Sequence, residues 1–314
     1  MSEIITKDLL GPGKFNQLPF LLKILSIEKA LSIQSHPDKE LAQKLHKEFP
    51  KIYKDDNHKP EMSIALTKFE ALCGFREISE IEQFMKMYPE LSLMAHFSGS
   101  LKQLFTDFMN CNEYEKPLLR LKERLERIQN RNTVEELFLR LYKQFPGDIG
   151  LVCVFLLNFL ELEPFEAFSM GPNEPHAYIS GDCIECMANS DNVVRAGLTP
   201  KFRDVQVLTS MLDYKSINVS TKIIKPKKTK EGDLYLSGFE EFDVLVVDVD
   251  GAKVVDEFCG PSLLLVLSGF GSLVEGDRKH EMKRGSVFFV RSNSCLKLFT
   301  ESKMQCVIAR CLNK

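Results

Sequence analysis

The sequence predicts a mainly β protein with a helical insertion, and three observations support this fold class. Short apolar or alternating runs of strand character dominate both ends of the chain. Between residues 77 and 145 the apolar residues instead recur at helical spacing. After residue 243, glycines separate short β runs, a pattern that is typical of a β-sandwich or jelly roll.

Strands and one helix are expected in the N-terminal part. The segments with strand character are residues 18–23, 29–36 and 61–75. Pro37 suits the first position of a helix, so we expect a helix to begin directly after the second segment. In the third segment, Met62 and Ile64 alternate with small or polar residues, which predicts one apolar face and one polar face.

The middle of the chain changes to the period of an α-helix. One predicted helix has an apolar face made of Leu118, Leu121, Leu125 and Ile128. The next helix follows Thr133, whose spacing to Glu136 matches a capping box. Strand signals return at residues 151–157, and a further helix is expected at residues 205–214. We interpret the lysine-rich stretch at residues 222–230 as a solvated linker.

Composition excludes several classes of function. Of the 314 residues, 44% are hydrophobic and 27% are charged, and a net charge of −3 provides no basic field for nucleic acid. Nine cysteines without regular spacing favour reduced thiols in the cytoplasm. Residues 1–8 lack the apolar core of a signal peptide, and the longest apolar run, residues 151–157, is too short to span a membrane. We therefore expect a cytoplasmic protein without a membrane or nucleic-acid partner.

Three short segments supply candidate metal ligands. They are residues 33–37, 58–61 and 175–178, and they contain Gln34, His36, Glu61 and His176. Gln34 and His36 are two apart on a predicted strand, so their side chains leave the same face. Nitrogen and oxygen donors of this kind suit zinc, and a single carboxylate leaves the ion with net positive charge.

Each of these residues also has a simpler interpretation. A single histidine or glutamine on a strand is more often a hydrogen-bonded structural group than a ligand. Cys183 and Cys186 form a C-x-x-C pattern, but on a strand they point to opposite faces, which favours packing. The small, turn-forming and isolated basic residues of segment 186–202 indicate a loop-lined pocket rather than a solvated helix.

Taken together, the segments resemble the type I phosphomannose isomerases. The resemblance covers essentially the whole chain and is strongest in residues 31–37, 57–61, 72–76, 146–149 and 171–202. It implies a cupin-like double jelly roll plus an α-helical domain. It also implies four segments: a first part of the catalytic cupin domain (residues 1–76), the helical insertion (77–148), a second catalytic part (149–220) and a C-terminal cupin-like jelly roll (221–314).

The resemblance assigns roles to particular residues. It implies one zinc ion per chain, bound by Gln34, His36, Glu61 and His176. The residues implied to contact the sugar phosphate are Ser32, Tyr178, Asp182 and Lys201, with Lys201 as the phosphate anchor. The residues implied to act in catalysis are Arg195, which polarises substrate oxygens, Lys59 or Glu185 as the proton carrier, and His58 in ring opening.

The implied reaction interconverts D-mannose 6-phosphate and D-fructose 6-phosphate. A proton moves between C1 and C2 through an enediol, so a base must reach a carbon acid while a cation stabilises the developing oxyanion. This reaction feeds GDP-mannose synthesis and protein glycosylation. We expect a monomer with a sugar phosphate as its partner.

One departure from the family leaves a second interpretation open. Family members carry a tryptophan-containing segment before the motif that is here residues 16–20, whereas this sequence contains no tryptophan. We therefore expect the sequence to lack the strands that this segment supplies to the catalytic roll. The alternative to an isomerase is a non-catalytic cupin module that binds zinc or sugar phosphate, and a zinc hydrolase is a weaker third hypothesis.

Overall fold

The structure of the protein, a computed structural model, describes residues 7–11, 15–256, 260–275 and 277–311. The sequence predicts that residues 1–8 are not a signal peptide, and residues 1–6 of this segment lie outside the described residues. Among the helices that the structure describes, none combines the length and the apolar character needed to cross a membrane.

The N-terminal roll consists of two curled antiparallel sheets. Its strands are β1 (Phe20–Ile27), β2 (Ile33–Ser35), β3 (Glu61–Ala65), β4 (Phe69–Phe75), β5 (Leu157–Leu162), β6 (Ala167–Met170), β7 (His176–Ala188), β8 (Val194–Gly197) and β9 (Ile223–Ile224). One sheet has the order β1-β7-β3-β6-β9 and the other β5-β4-β7-β2-β8. Strand β7 belongs to both sheets, so it connects the two walls of the roll.

Strand β7 changes face at Gly181. This glycine has φ +102°, and a Cβ there would lie 2.4 Å from the carbonyl oxygen of Lys68. The pairing register between β4 and β7 also shifts next to this point. Consequently Tyr178, before the bend, and Cys183, after it, both lie in the apolar interior of the roll, although strict alternation would place them on opposite faces.

The helices pack mainly against one sheet. They are α1 (Lys7–Leu10), α2 (Lys39–Glu48), α3 (Ile78–Met87), α4 (Pro89–Ser92), α5 (Leu101–Asn110), α6 (Glu115–Glu126), α7 (Thr133–Gln144), α8 (Cys153–Leu156) and α9 (Val205–Met211), with 3-10 helices at Ile149–Val152 and Val219–Lys222. Leu118, Leu121 and Leu125 of α6 are buried, as their spacing predicts. Helices α3–α7 lie between β4 and β5 in the chain, which confirms the helical insertion.

Two helix starts differ from the predicted ones. Helix α2 begins at Lys39 rather than Pro37, because the Asp38 side chain accepts a hydrogen bond from the Leu41 amide and caps the helix. The capping box of α7 uses Asn132 and Glu135, one residue before the predicted pair, since each of these side chains accepts a hydrogen bond from the other's backbone amide.

The strand predicted at residues 151–157 is wrong for most of its length. This segment forms the 3-10 helix Ile149–Val152 and then α8, and only Leu157 begins a strand. Every residue from 149 to 157 is buried in the core between the roll and the helical insertion. A continuous apolar run fits either a buried strand or a buried helix, so periodicity does not separate the two.

The C-terminal roll packs against the outer face of β3 and β7. Its strands are β10 (Lys227–Lys228), β11 (Asp233–Tyr235), β12 (Asp243–Val255), β13 (Ser262–Ser268), β14 (Phe270–Glu275), β15 (Arg278–Lys283), β16 (Val287–Val290) and β17 (Leu296–Arg310). A shared apolar core joins the rolls and includes Met62, Ile64 and Ile184 from the first and Val244 and Val307 from the second. Met62 and Ile64 therefore form an apolar face, as their alternation predicts, although the opposite face of β3 is buried as well.

The boundary between the rolls lies after the lysine-rich stretch begins. Strand β9 pairs with β6 of the N-terminal roll, three residues past the expected boundary at 220. Lys222 is partly buried and forms an ion pair with Glu174, whereas the other four lysines of the stretch are exposed, in agreement with the interpretation as a solvated segment.

The Asp148 carboxylate ties the helical insertion to the loop that follows β8. Its oxygens accept hydrogen bonds from the backbone amides of Gly150 (2.7 Å), Leu198 (2.8 Å) and Thr199 (3.1 Å). Leu198 has φ +52°, a left-handed conformation that is unusual for a leucine. The carboxylate thus holds this loop in a strained backbone conformation that would otherwise relax.

We predict that Asp148→Ala lowers the free energy of unfolding by about 3 kcal/mol, because three amides lose their acceptor at once. Urea denaturation followed by circular dichroism measures the change. Asp213→Ala is the matched control, since Asp213 makes an exposed ion pair with Lys215, and its effect should stay within about 0.5 kcal/mol. Equal effects of the two substitutions would contradict this role for Asp148.

Candidate metal centre and substrate pocket

Three side chains from distant parts of the sequence converge inside the N-terminal roll. His36 Nε2 lies 3.3 Å from Glu61 Oε1, and His176 Nε2 lies 3.3 Å from Glu61 Oε2. The two imidazole rings are 5.2 Å apart between centroids. Each of the three side chains is about 1% exposed, so the cluster is fully enclosed. The donor atoms lie within 4.8 Å of one another, a spacing that can hold a single metal ion.

Backbone carbonyls fix the tautomer of both histidines. His36 Nδ1 lies 2.6 Å from the carbonyl oxygen of Asn192, and His176 Nδ1 lies 3.0 Å from that of Glu174. A carbonyl oxygen only accepts hydrogen bonds, so the proton of each neutral ring is on Nδ1. The Nε2 atoms therefore present lone pairs to the carboxylate, as metal-binding histidines do.

The electrostatics of the cluster call for a cation. Among the described residues, neither Nε2 atom has a hydrogen-bond partner, and the Glu61 carboxylate meets one ammonium, Lys59 Nζ, 3.0 Å from Oε1. Burial lowers the pKa of His36 and keeps the ring neutral. Burial alone would raise the pKa of Glu61, but the charge of neighbouring basic groups, which include Lys59 Nζ at 3.0 Å, holds it well below its usual value, so the carboxylate is ionised. Buried, converging acceptors of this kind fit a divalent metal ion, and these residues are suited to zinc.

Gln34 and Arg195 lie in the same row as His176. In the sheet, Gln34 is the direct neighbour of His176 on one side and of Arg195 on the other. Directly opposite residues of an antiparallel pair share a face, so the three side chains are adjacent. Ser32 donates a hydrogen bond of 3.3 Å to the Gln34 side-chain oxygen. The structure thus places three of the predicted residues in one row, with Ser32 in contact with the middle one.

A second carboxylate lies on the facing sheet. Glu185 is buried, and Lys23 Nζ lies 3.5 Å from its Oε2 atom. Burial, and then the negative charge of Glu61, raise the pKa of Glu185. The phenol of Tyr178 is buried near both carboxylates, and burial raises its pKa well above the usual value. Lys59 Nζ lies 3.0 Å from Glu61 Oε1, so this predicted residue also reaches the cluster.

A cavity of about 670 Å³ opens beside Arg195. Its lining residues are Ile52, Tyr53, Lys54, Asp191, Val193, Arg195, Lys201, Phe202 and Asp204. Two predicted residues, Arg195 and Lys201, therefore face one cavity. Lys54 adds a third cation, and the carboxylates of Asp191 and Asp204 offset part of this positive charge. The loop-lined pocket expected within residues 186–202 is present. An anionic ligand such as a phosphate suits this lining.

The structure does not bring Asp182 into the site, so the prediction that it contacts the sugar phosphate is wrong. Asp182 lies on the same face of β7 as Ile184, which packs against the C-terminal roll, and it lines a groove with Leu265 and Leu267. The change of face at Gly181 is the cause. If β7 alternated strictly, Asp182 would lie on the same face as Tyr178. Because the strand bends at Gly181, Glu185 points inward instead.

His58 faces the C-terminal roll instead of the cluster. Its Nε2 atom lies 2.6 Å from Glu241 Oε1, on the segment that leads into β12. Lys59 is the next residue and points the other way, toward Glu61, as expected for neighbours in extended backbone. The structure therefore gives no support to the expected role of His58 in ring opening, since its ring forms a hydrogen bond with Glu241 between the two rolls.

Sequence reasoning missed four residues of the site. They are Lys23, which pairs with Glu185, Lys54 in the cavity, and Asp55 and Asn192, which hold the loop beside His36. Lys23 is on the inward face of β1, opposite Glu185, and this pairing register was the only signal that could have identified it. The others lie in loops without periodicity.

These features define a jelly-roll protein with a buried His-Glu-His centre of metal-binding type beside a pocket whose lining includes three basic residues. Comparison with protein families gives two matches. The description "Phosphomannose isomerase type I, catalytic domain" applies to residues 2–78, and "Phosphomannose isomerase type I, helical insertion domain" applies to residues 73–157.

Individual proteins agree with these matches. The chain is 43% identical to mannose-6-phosphate isomerase 2 of Arabidopsis thaliana over 87% of its own length and 67% of that protein. It is 40% identical to the mannose-6-phosphate isomerase of Rattus norvegicus, over 94% of its own length and 78% of that protein. A solved structure of a mannose 6-phosphate isomerase bound with zinc and yttrium superposes with a TM-score of 0.85 at 28% identity, covering 95% of this chain and 80% of that one.

The chain belongs to the type I phosphomannose isomerase family. This confirms the resemblance seen in the sequence, the cupin-like fold class and the classification as an isomerase. The chain spans between about two thirds and four fifths of the length of these relatives.

We predict that Glu61→Gln weakens zinc binding by at least about 10-fold, because the substitution removes the anionic donor between the two imidazoles. Competition with a chromogenic chelator measures the zinc dissociation constant of the purified protein. Glu163→Gln, on an exposed turn, is the control and should bind zinc as the unchanged chain does. Retention of full zinc affinity by Glu61→Gln would exclude this cluster as the metal centre.

Proposed function

We propose that this chain is a zinc-dependent aldose–ketose isomerase that interconverts D-mannose 6-phosphate and D-fructose 6-phosphate. The observation that carries the proposal is the convergence inside the roll of the Glu61 carboxylate and two Nε2 atoms that have no hydrogen-bond partner among the described residues, next to a cavity whose lining includes three cations. Zinc, when bound, supplies a Lewis acid that polarises substrate oxygens. We further propose one zinc per chain, a monomer, and a cytoplasmic reaction that feeds GDP-mannose synthesis.

Four residues are proposed as the zinc ligands: Gln34, His36, Glu61 and His176. The last three converge in the structure, and the position of Gln34 directly beside His176 supports its inclusion. One anionic donor among four leaves the ion with net positive charge, which suits a Lewis acid. The carbonyl contacts to both Nδ1 atoms support the histidine assignments.

The isomerisation requires one group that removes a proton at one carbon and returns it at the neighbouring carbon. Glu185 and Lys59 are the candidates. Lys59 Nζ lies 3.0 Å from Glu61 Oε1, so this side chain is already engaged by the carboxylate of the cluster. Glu185 is paired only loosely with Lys23, at 3.5 Å, and its raised pKa makes it a stronger base than an ordinary carboxylate. We therefore propose Glu185 as the proton carrier and Lys59 as the group that holds Glu61 in place.

Charge on the substrate determines the remaining roles. The phosphate is an anion and needs a cation at the cavity wall, a position that the exposed Lys201 occupies. Arg195 is partly buried and lies nearer the proposed metal centre, one position across the sheet from Gln34. A fixed guanidinium there stabilises negative charge that develops on the sugar oxygens during proton transfer. Ser32 and Tyr178 complete the proposed sugar contacts.

We predict that Arg195→Ala lowers kcat for mannose 6-phosphate by about 100-fold or more while KM changes little, because the lost interaction forms only in the transition state. A coupled assay that follows fructose 6-phosphate measures both constants. Arg127→Ala, on the exposed face of the helical insertion, is the control and should leave both unchanged. A rise in KM with kcat preserved would contradict the role given to Arg195.

We predict the opposite pattern for Lys201→Ala: KM for mannose 6-phosphate rises about 10-fold or more and kcat changes little, since the phosphate does not react. The same assay measures it, with Lys51→Ala, an exposed lysine outside the cavity lining, as the control. An unchanged KM would remove Lys201 as the phosphate anchor.

Activity of the unaltered chain tests the proposal as a whole. Stoichiometric zinc together with turnover of mannose 6-phosphate supports the isomerase. Stoichiometric zinc without turnover would favour the non-catalytic cupin module. Hydrolysis of a phosphate or amide substrate in place of isomerisation would favour the hydrolase.

A further inference from the structure

A hydrogen-bond network centred on Asp55 joins two loops beside the metal centre. Asp55 Oδ1 accepts hydrogen bonds from the Ser190 hydroxyl (2.7 Å) and the Asn57 amide (3.0 Å). Asp55 Oδ2 accepts one from the Asp191 amide (2.7 Å). One carboxylate thus holds its own loop, before β3, and the loop between β7 and β8.

Asn192 extends this network with its side-chain amide. Its Nδ2 atom donates to the carbonyl oxygens of Asp55 (2.8 Å) and Asn57 (3.0 Å), and it lies 3.2 Å from Asp55 Oδ1. The backbone amide of Asn192 donates to the Ser190 hydroxyl (3.2 Å), which itself donates to Asp55. Asn192 is 1% exposed, so these contacts replace water completely.

The network ends at a proposed zinc ligand. The carbonyl oxygen of Asn192 is the acceptor for His36 Nδ1, at 2.6 Å. His176 Nδ1 is paired with the carbonyl oxygen of Glu174, two residues earlier in the turn that leads into β7, whereas the partner of His36 is 156 residues distant in sequence. The orientation of His36 therefore depends on how the loop between β7 and β8 is held.

We propose that Asp55 is a positioning residue for the metal centre, acting through the Asn192 carbonyl on the tautomer and orientation of His36. This inference rests on the proposed zinc site. Ligand geometry is tuned by such outer contacts, and losing them commonly lowers metal affinity by about 10- to 100-fold. Arg195 lies three residues after Asn192, so the same network also fixes the backbone from which the Arg195 side chain extends.

The test compares Asp55→Asn with Asp56→Asn. The first substitution keeps the size of the side chain but directs an NH2 group at a donor, because both carboxylate oxygens accept hydrogen bonds. The neighbouring Asp56 is exposed, so its substitution is a matched control. We expect Asp55→Asn to weaken zinc binding by about 10- to 100-fold, measured by chelator competition, and Asp56→Asn to leave it unchanged.

A spectroscopic measurement separates positioning from a loss of stability. Cobalt(II) bound in place of zinc reports ligand geometry through its visible absorption, which we expect to differ between Asp55→Asn and the unaltered chain at metal saturation. If Asp55→Asn does not fold, Ser190→Ala leaves the carboxylate in place and removes only the hydroxyl that donates to Asp55 and accepts from the Asn192 amide. Its zinc affinity should fall by about fivefold or more, as expected for the loss of hydrogen bonds in the network. A zinc affinity within about twofold of the control, or identical cobalt spectra, would overturn the inference.

The outcome for the unaltered chain distinguishes this inference from the proposed function. If the unaltered chain binds no zinc at the cluster, the proposed function fails and the role of Asp55 fails with it. If the unaltered chain binds zinc and Asp55→Asn binds it equally well, only the role of Asp55 is rejected.

Discussion

The structure of the site depends on one buried carboxylate held between two neutral imidazoles. Glu61 faces the lone pairs of His36 and His176 at 3.3 Å on either side, in a region without water access. Such an arrangement leaves negative potential uncompensated, apart from the ammonium of Lys59. A protein retains an arrangement of this kind where a cation offsets its cost. The fold of the roll therefore brings together a buried carboxylate and two imidazoles, and this arrangement favours the binding of a cation.

The roll positions this centre through one long strand that belongs to both sheets. Strand β7 carries His176 at its start and Glu185 near its end, so the proposed metal ligand and the proposed base are attached to one rigid element. The bend at Gly181 gives the strand its change of face. An added Cβ at this glycine would collide with backbone, so the positions of both groups depend on the absence of a side chain there.

Carboxylates outside the cluster hold the loops around it. Asp55 holds the loop that supplies the carbonyl for His36, and Asp148 holds the loop that carries Lys201. Each accepts hydrogen bonds from backbone amides, which satisfies polar groups that have no strand partner. The helical insertion is connected to the substrate pocket through Asp148, and the C-terminal roll is connected to the catalytic roll through the pair of His58 with Glu241. The helical insertion and the C-terminal roll thus both help to hold the segments around the cluster in position.

Local patterns were sufficient for much of the fold and for the main ligands. The sequence by itself determined the mainly β class, the helical insertion and the face that Glu61 shares with Ser63, because these follow from residue periodicity. The family motifs identified His36 and His176 as candidates. Helix starts were misplaced by one or two residues, since cap choice depends on side-chain geometry.

Only the tertiary structure decided which side chains meet. The change of face at Gly181 excluded Asp182 and turned Glu185 inward, and no count along the sequence contains that information. The burial of residues 149–157 against the insertion decided helix over strand. Lys23 and Asn192 reach the site through strand register and loop contacts, which are long-range. Periodicity describes neighbours along the chain, whereas a site is made of neighbours in space.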